Sequence, residues 1–458
     1  MNLTCSRRPA VQRQLSCLLV LVLGALCSLA TPGRAHALPA YFNGSESEFY
    51  KLPTPAQTPA GGPGTVVRWQ RFDPSVILSG FADPIVAYRM LYKSTSHDGS
   101  PTIVSGTVLM PVRLSFNAGD RPIVGFATGT QGMADRCAAV HGIANSTNFD
   151  LAYMRPALDK GWALAVADYQ GLGLTTPNDE HPEIVGRILG RNVLDSVRTV
   201  AQFAGDFDGY VRAHWPEKIA IWANVRATSK VVLWGYSEGG NASAWAAELQ
   251  PSYARELRLV GVASGGVPAD PAVVASFINT PGKLQNVAFG VLMAAVVGFK
   301  AAYPTLPLDG YLKPEGVSLL ETIKKQCLFE TLASNWNGRT FSQYVKPEFA
   351  SFNPLTNAAW LARLNENKLG SSPPTVPAFL WHAKDDESLE FCQARKLAKT
   401  YCERGVYLTW KKYAGEHALG WGQGLSPSLD FLDRRINGGS LPSSCVELQG
   451  PDSSCPGQ

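Results

Sequence analysis

An α/β protein with a mostly parallel sheet is what this sequence predicts, on three observations. Strand-like and helix-like segments alternate from Pro122 to Gly266. One of those strands runs directly into a Gly-x-Ser-x-Gly turn with a helix behind it, between Lys230 and Gln250. A stretch of about 100 residues without alternation then interrupts the pattern before two further strand-like runs close it, which marks an inserted unit.

The chain opens with Arg7, Arg8 and Arg13, a leucine-rich stretch from Leu15 to Leu29, and Ala35-His36-Ala37. A basic start, an apolar core and small residues at a cleavage point describe a secretory signal peptide over residues 1–37, with an uncleaved signal anchor as the alternative. The core is too short for a membrane span of the usual length. Leu26, before Cys27, is too large for a lipoprotein cleavage site. Removing the leader takes four arginines and no acids, leaving 37 charges of each sign where the whole chain carries +4. A neutral mature chain offers no electrostatic footprint for nucleic acid. Cys5, Cys17 and Cys27 leave with the leader, and Cys137, Cys327, Cys392, Cys402, Cys445 and Cys455 remain. An even set without C-x-x-C spacing points to disulfides in an exported protein and to no metal site. The sequons at Asn43, Asn145 and Asn241 have meaning only in a glycosylating host, and Asn241 is expected to be half-buried.

The elements follow in order. After the Pro/Gly-rich segment Lys51 to Gly64, IVAYRMLYKST and TIVSGTVLMP read as a hairpin turning at His97-Asp98-Gly99-Ser100. PIVGFATG, from Pro122 to Gly129, is the third strand. It is followed by a helix at Leu151 to Lys160, the strand WALAVADY, and a helix from about Val185 to Phe203. KVVLWGY leads into the serine turn and the alanine-rich helix NASAWAAELQ, and LRLVGVASGG is the sixth strand. PAFLWHA and VYLTWKKY complete a sheet joined by right-handed crossovers.

From Ser237 to a carboxylate at Asp386 is 149 residues, whereas two strands with their helix need about 50 to 60. Residues 271–370 are therefore expected to be a helical cap set between core segments 38–270 and 371–458. Its leading segment, Leu284 to Phe299, runs sixteen residues without a charge. Two readings stand: a buried cap helix, or the wall of an acyl-chain tunnel or lipid-facing lid.

Gly235-Tyr236-Ser237-Glu238-Gly239 has the sequence shape of a nucleophile elbow, a turn too tight for a Cβ at either glycine. The pentapeptide alone is expected about 0.3 times by chance in so glycine-rich a chain, so the strand and helix around it carry the weight. Sites built on such an elbow place acid and histidine after the serine. Two histidines follow Ser237. His382 precedes every carboxylate of its loop, which leaves His417, on the loop after VYLTWKKY. Asp385, Asp386 and Glu387 are the acid candidates at the end of PAFLWHA, where catalytic groups of open α/β sheets collect, and Asp386 is chosen. Charge on a tetrahedral intermediate would be held by the backbone N–H of Glu238 and by one from the loop after the third strand.

These motifs resemble the secretory lipase family of fungi and bacteria. GYSEGG, GTQGMADRC, Asp168-Tyr169-Gln170-Gly171-Leu172-Gly173, LDSVR at Leu194 to Arg198, and GEHALG carry the likeness, in order, from about Pro74 to Cys445. It implies an α/β-hydrolase fold with helices on both faces of the sheet, a helical cap after the sixth strand, and cleavage of carboxylic esters, commonly the acyl-glycerol bonds of lipids. By residue it implies Ser237 as nucleophile, Asp386 as acid, His417 as base, Glu238 and Asp135 as oxyanion donors, and the disulfides Cys137–Cys327 and Cys402–Cys445. Cys392 and Cys455 have no counterpart in it. Where many members continue Ala-Pro-Ser after the oxyanion-loop cysteine, this chain has Ala138-Ala139-Val140.

The function expected is thus that of a secreted serine ester hydrolase, a triacylglycerol lipase or esterase. It calls for no cofactor, no metal and no obligate protein partner. The substrate is a lipid or other carboxylic ester, with the cap as the place where a lipid–water interface would be met. An acyltransferase or a serine peptidase would use the same triad, and a binding module would have lost it. An alkyl-lined cap favours long acyl esters, and an acidic pocket favours peptides.

Overall fold

The computed structural model describes residues 37–73, 83–113, 120–174, 179–218, 224–226, 228–282 and 288–455. The expected signal peptide, Ala37 apart, lies outside the described residues. The strands are β1 (Val66–Phe72), β2 (Ile85–Thr95), β3 (Pro101–Pro111), β4 (Ile123–Ala127), β5 (Ala163–Ala167), β6 (Lys230–Tyr236), β7 (Arg258–Gly265), β8 (Ala378–Ala383) and β9 (Leu408–Tyr413). They form one sheet in the order β1-β2-β3-β5-β4-β6-β7-β8-β9.

β2 and β3 make the expected hairpin, with Thr95 opposite Pro101 and the Asp98 carboxylate accepting from the Ser100 amide at 2.9 Å. β1, VVRWQRF, adds an edge strand that the sequence reading passed over. From β5 through β4, β6, β7 and β8 to β9 every pairing is parallel. Every residue of β4, β5 and β8 is buried, because helices cover both faces. Alternation sorts the side chains: Ala163, Ala165 and Ala167 face a core shared with helices Gly186–Thr199, Glu238–Tyr253 and Phe391–Glu403. Leu164 and Val166 face the one shared with Leu151–Asp159 and His417–Ile436.

The alternation breaks between β7 and β8, where five helices stand among the described residues: Pro271–Ile278, Phe289–Ala302, Pro314–Ile323, Leu328–Leu332 and Ala358–Glu366. They enclose an apolar cluster of their own around Phe289, Met293, Phe299, Trp336 and Trp360. The uncharged segment of the sequence becomes the helix Phe289–Ala302; residues 283–287 lie outside the described residues. No helix among the described residues is long and apolar enough to cross a membrane.

Disulfides join Cys137 to Cys327, Cys392 to Cys455, and Cys402 to Cys445. The first ties the segment after β4 to the helical insertion across 190 residues. Beside it Met133 N–H donates to the Gln326 carbonyl at 2.9 Å and Arg136 pairs with Glu330 at 2.7 Å. Gly132, at φ +115, allows this approach, since a Cβ there would lie 2.5 Å from Cys327 Cα. A bridge closing so long a loop constrains the unfolded chain strongly, so a Cys137→Ala/Cys327→Ala variant is expected to lose about 3–5 kcal/mol in denaturant unfolding. An unchanged midpoint would show that the bridge contributes nothing.

Candidate active site

β6 ends at Tyr236, and Ser237 turns the chain into the helix Glu238–Tyr253 with φ 61 and ψ −123. Such a backbone costs an L-residue on the order of 1–3 kcal/mol and persists only where the surroundings impose it. Here Ser237 N–H donates to the Gly265 carbonyl at 2.9 Å and the Ser237 carbonyl accepts from Asn241 N–H at 3.0 Å. A Cβ on Gly235 would lie 2.2 Å from the Gly239 carbonyl oxygen, and one on Gly239 2.1 Å from that of Ala127. Both glycines of the motif are thus required by contact. The helix begins at Glu238, not Asn241, and Asn241 is fully rather than half buried, its amide donating to the Pro268 carbonyl.

Parallel pairing brings the carboxyl ends of β4, β6, β7, β8 and β9 to one edge. There His417 Nε2 lies 3.0 Å from Ser237 Oγ, and His417 Nδ1 lies 2.7 Å from Asp386 Oδ2. The other Asp386 oxygen accepts from the amides of Ser388 at 3.0 Å and Leu389 at 2.7 Å. In the tautomer whose Nδ1–H donates to Asp386, Nε2 presents its lone pair to the serine hydroxyl. Burial opposes a charge on either partner. The His417 charge, its hydrogen bond and His382 nonetheless hold Asp386 below its usual range. Asp386, that hydrogen bond and Glu387 likewise lift His417 above the ordinary imidazole value.

The three acid candidates separate cleanly. The Asp385 side chain is 53% exposed and paired with Lys384. Glu387 accepts the His417 backbone N–H at 2.9 Å, and Asp386 alone meets the ring. His382, fully buried, lies 3.1 Å from the Leu389 carbonyl and 3.3 Å from Asp386, and burial pushes its pKa down. It backs the acid.

A cavity of about 390 Å³ opens over Ser237. Its floor includes Gly129, Thr130, Ser237, Glu238 and His417, and its walls come largely from the insertion, through Val274, Ile278, Leu292, Val296, Phe299 and Trp360. Asp135 lies apart from these residues. It sits in the short helical turn Asp135–Cys137 beyond the loop and does not line the cavity, whereas Gly129 and Thr130, directly after β4, do. Beyond Thr130 the chain runs outward to the disulfide at Cys137, and glycine-rich sequence gave no sign of which amide stays inside.

The pattern of the secretory lipase family matches residues 138–443. This chain belongs to that family. It is accordingly a carboxylic ester hydrolase by class. It is 27% identical to a secreted triacylglycerol lipase of Malassezia globosa over 87% of this chain and 81% of that protein. To lipase 10 of Candida albicans it is 26% identical, over 88% and 83%. Among solved structures it superposes on Candida antarctica lipase A with a TM-score of 0.71, 22% identity and coverage of 90% and 89%. It superposes on the cell wall degrading esterase LipA of Xanthomonas oryzae with a TM-score of 0.63 at 18% identity, covering 82% of this chain and 100% of that one. At these identities the two superpositions speak for the α/β-hydrolase fold.

Sequence reasoning missed three buried groups beneath the cavity. Asp150 accepts the Gly129 N–H at 2.9 Å, and burial raises it to about 7. His181 and Glu183 lie against Glu238 and Thr130. Nothing in His181-Pro182-Glu183 distinguishes it from a surface loop, since its meaning comes from contacts more than 50 residues away.

Proposed function

We propose that this protein is a secreted lipase or esterase acting by two-step acyl transfer, with Ser237 as nucleophile, His417 as general base and acid, and Asp386 as the group that orients and charges the imidazole. The observation that carries the reading is the unbroken chain Asp386–His417–Ser237 at the floor of an apolar cavity. In it, Ser237 Oγ gives its proton to His417 Nε2 and attacks the ester carbonyl; the alcohol leaves with that proton, and water repeats the cycle on the acyl-enzyme. The oxyanion donors are the backbone amides of Glu238, first in its helix and so at the positive end of the dipole, and of Thr130. Thr130 takes the place first expected for Asp135.

Residues 1–37 act as a cleaved export signal and residues 271–370 as a cap over the site. The cap helix Phe289–Ala302 serves both readings of its sequence: Phe289 and Met293 are buried in the cap core, while Leu292, Val296 and Phe299 face the cavity. An aliphatic acyl chain suits such walls. Phe329, which lines the cavity and is 64% exposed, gives the rim an apolar surface for lipid. A peptidase would need an uncommitted carboxylate for the peptide amine. The acids here are committed, Glu238 to His181, Glu183 to Thr130, and Glu387 to the His417 amide.

Ser237→Ala is expected to lower ester turnover about a millionfold and to abolish labelling by a fluorophosphonate. An alanine variant that keeps a tenth of the activity ends the assignment. Because His417 must be neutral to accept a proton and its pKa is raised, kcat/KM should fall with acid around a midpoint above about 6.5. A profile flat to pH 4.5 speaks against it. Along a ladder of straight-chain esters from acetate to palmitate, kcat/KM should rise up to about fourfold per methylene, the equivalent of about 0.8 kcal/mol each, until the cavity is filled. A preference for acetate would remove the acyl role of the cap.

A further inference from the structure

The two amides proposed as oxyanion donors belong to residues whose side chains meet underground. The Glu238 carboxylate lies 2.7 Å from His181 Nε2, and the same nitrogen is 3.5 Å from Glu183 Oε2. The other Glu183 oxygen accepts from Thr130 Oγ1 at 2.8 Å. One path of polar contacts thus runs from the elbow, through His181 and Glu183, to the loop after β4. All three ionisable groups are essentially excluded from solvent, His181 at 0% and Glu183 and Glu238 at 1% exposure. His181 is fixed in turn: its Nδ1 lies 3.2 Å from the Gln170 carbonyl, and the Tyr169 ring stacks on it at 5.8 Å. Tyr169 reaches back with its hydroxyl to the Thr128 carbonyl, at 2.9 Å, on the same loop.

A buried trio of this kind is costly, and apolar residues of similar size would serve stability as well or better. Its value lies elsewhere. Glu238 and Thr130 stand on different elements, and their two N–H groups act together only if both reach one oxygen; a displacement of about 1 Å can cost about a hundredfold in rate. We propose that His181 and Glu183 are positioning residues that lock the elbow to the β4 loop and thereby set the spacing of the two oxyanion donors. Burial opposes a charge on His181, yet the two carboxylates push it up to about 10. The inference rests on the oxyanion assignment above. The three groups also have metal-ligand chemistry, with their ligand atoms within 4.8 Å of one another. A bound ion would have to displace the 2.7 Å contact between His181 and Glu238.

The test uses the full mature enzyme and a short p-nitrophenyl ester. Glu183→Leu removes the tether to Thr130, and kcat should fall by about tenfold to a hundredfold while KM stays within about twofold. Glu183→Gln, whose amide oxygen can still accept from the threonine, should recover most of that loss. Should Glu183→Leu not fold, His181→Gln decides, with the same loss in kcat at unchanged KM. Wild-type kcat in Glu183→Leu or His181→Gln overturns the proposal, as does a loss confined to KM or one that Glu183→Gln does not relieve. Activity that a chelator removes and added zinc restores, but not in His181→Gln, would make the trio a metal site and overturn it too. Ser237→Ala run in parallel keeps the two readings apart, since activity surviving there would sink the catalytic assignment itself.

Discussion

The contact on which the rest of the molecule depends is backbone against backbone at the serine turn. Gly239 lies where any Cβ would meet the Ala127 carbonyl, and Gly240 where one would meet that of Gly265, so the elbow helix is pressed against the ends of β4 and β7 at once. That pressure holds Ser237 at a positive φ and lifts its hydroxyl clear of the sheet. It also sets the start of the helix at Glu238, and with it the direction of the first free N–H groups of the helix. The proposed nucleophile and anion-binding amide are therefore consequences of one packing constraint.

Most of this architecture was written in local pattern. The hairpin, β4 to β9 and the helices at Leu151 and Gly186 each have a periodicity or a turn chemistry that residues within ten positions reveal. For the proposed acid the sequence offered three adjacent residues, of which Asp386 was chosen, because a strand end is a good locator of a catalytic loop but a poor judge of orientation. What separates Asp386 from Asp385 is which side of the loop turns inward, and that follows from the Ser388 and Leu389 amides closing on Asp386. The oxyanion loop was less legible still. Its donor is a main-chain group without a side-chain signature, and the loop leaves the cavity between Thr130 and the cysteine that anchors it at Cys327. β1 escaped notice because Arg68, Gln70 and Arg71 break its apolar run, as suits an edge strand.

Charge in the site is arranged in two separate sets. On the His417 side, carboxylate and imidazole raise and lower one another in the sense that base catalysis needs. On the other side, His181 stands between the carboxylates of Glu238 and Glu183, at 2.7 and 3.5 Å. Burial and the neighbouring Glu183 push Glu238 up to about 7, while His181, 2.7 Å from its carboxylate, pulls the other way. A carboxylate adjacent to the nucleophile is thereby compatible with an oxyanion one residue away.

The insertion is not an independent roof over this arrangement. Its helix Phe289–Ala302 lies so close to the buried trio that a Cβ on Gly298 would stand 2.5 Å from the Glu183 amide nitrogen. Lys324, on the turn after Pro314–Ile323, pairs with Glu180 at 3.1 Å, and Cys327 is bonded to Cys137. The insertion thus grips both arms of the proposed oxyanion scaffold, the segment that carries His181 and the loop that carries Thr130. A rigid-body swing of all five helices would break these contacts, including a covalent one.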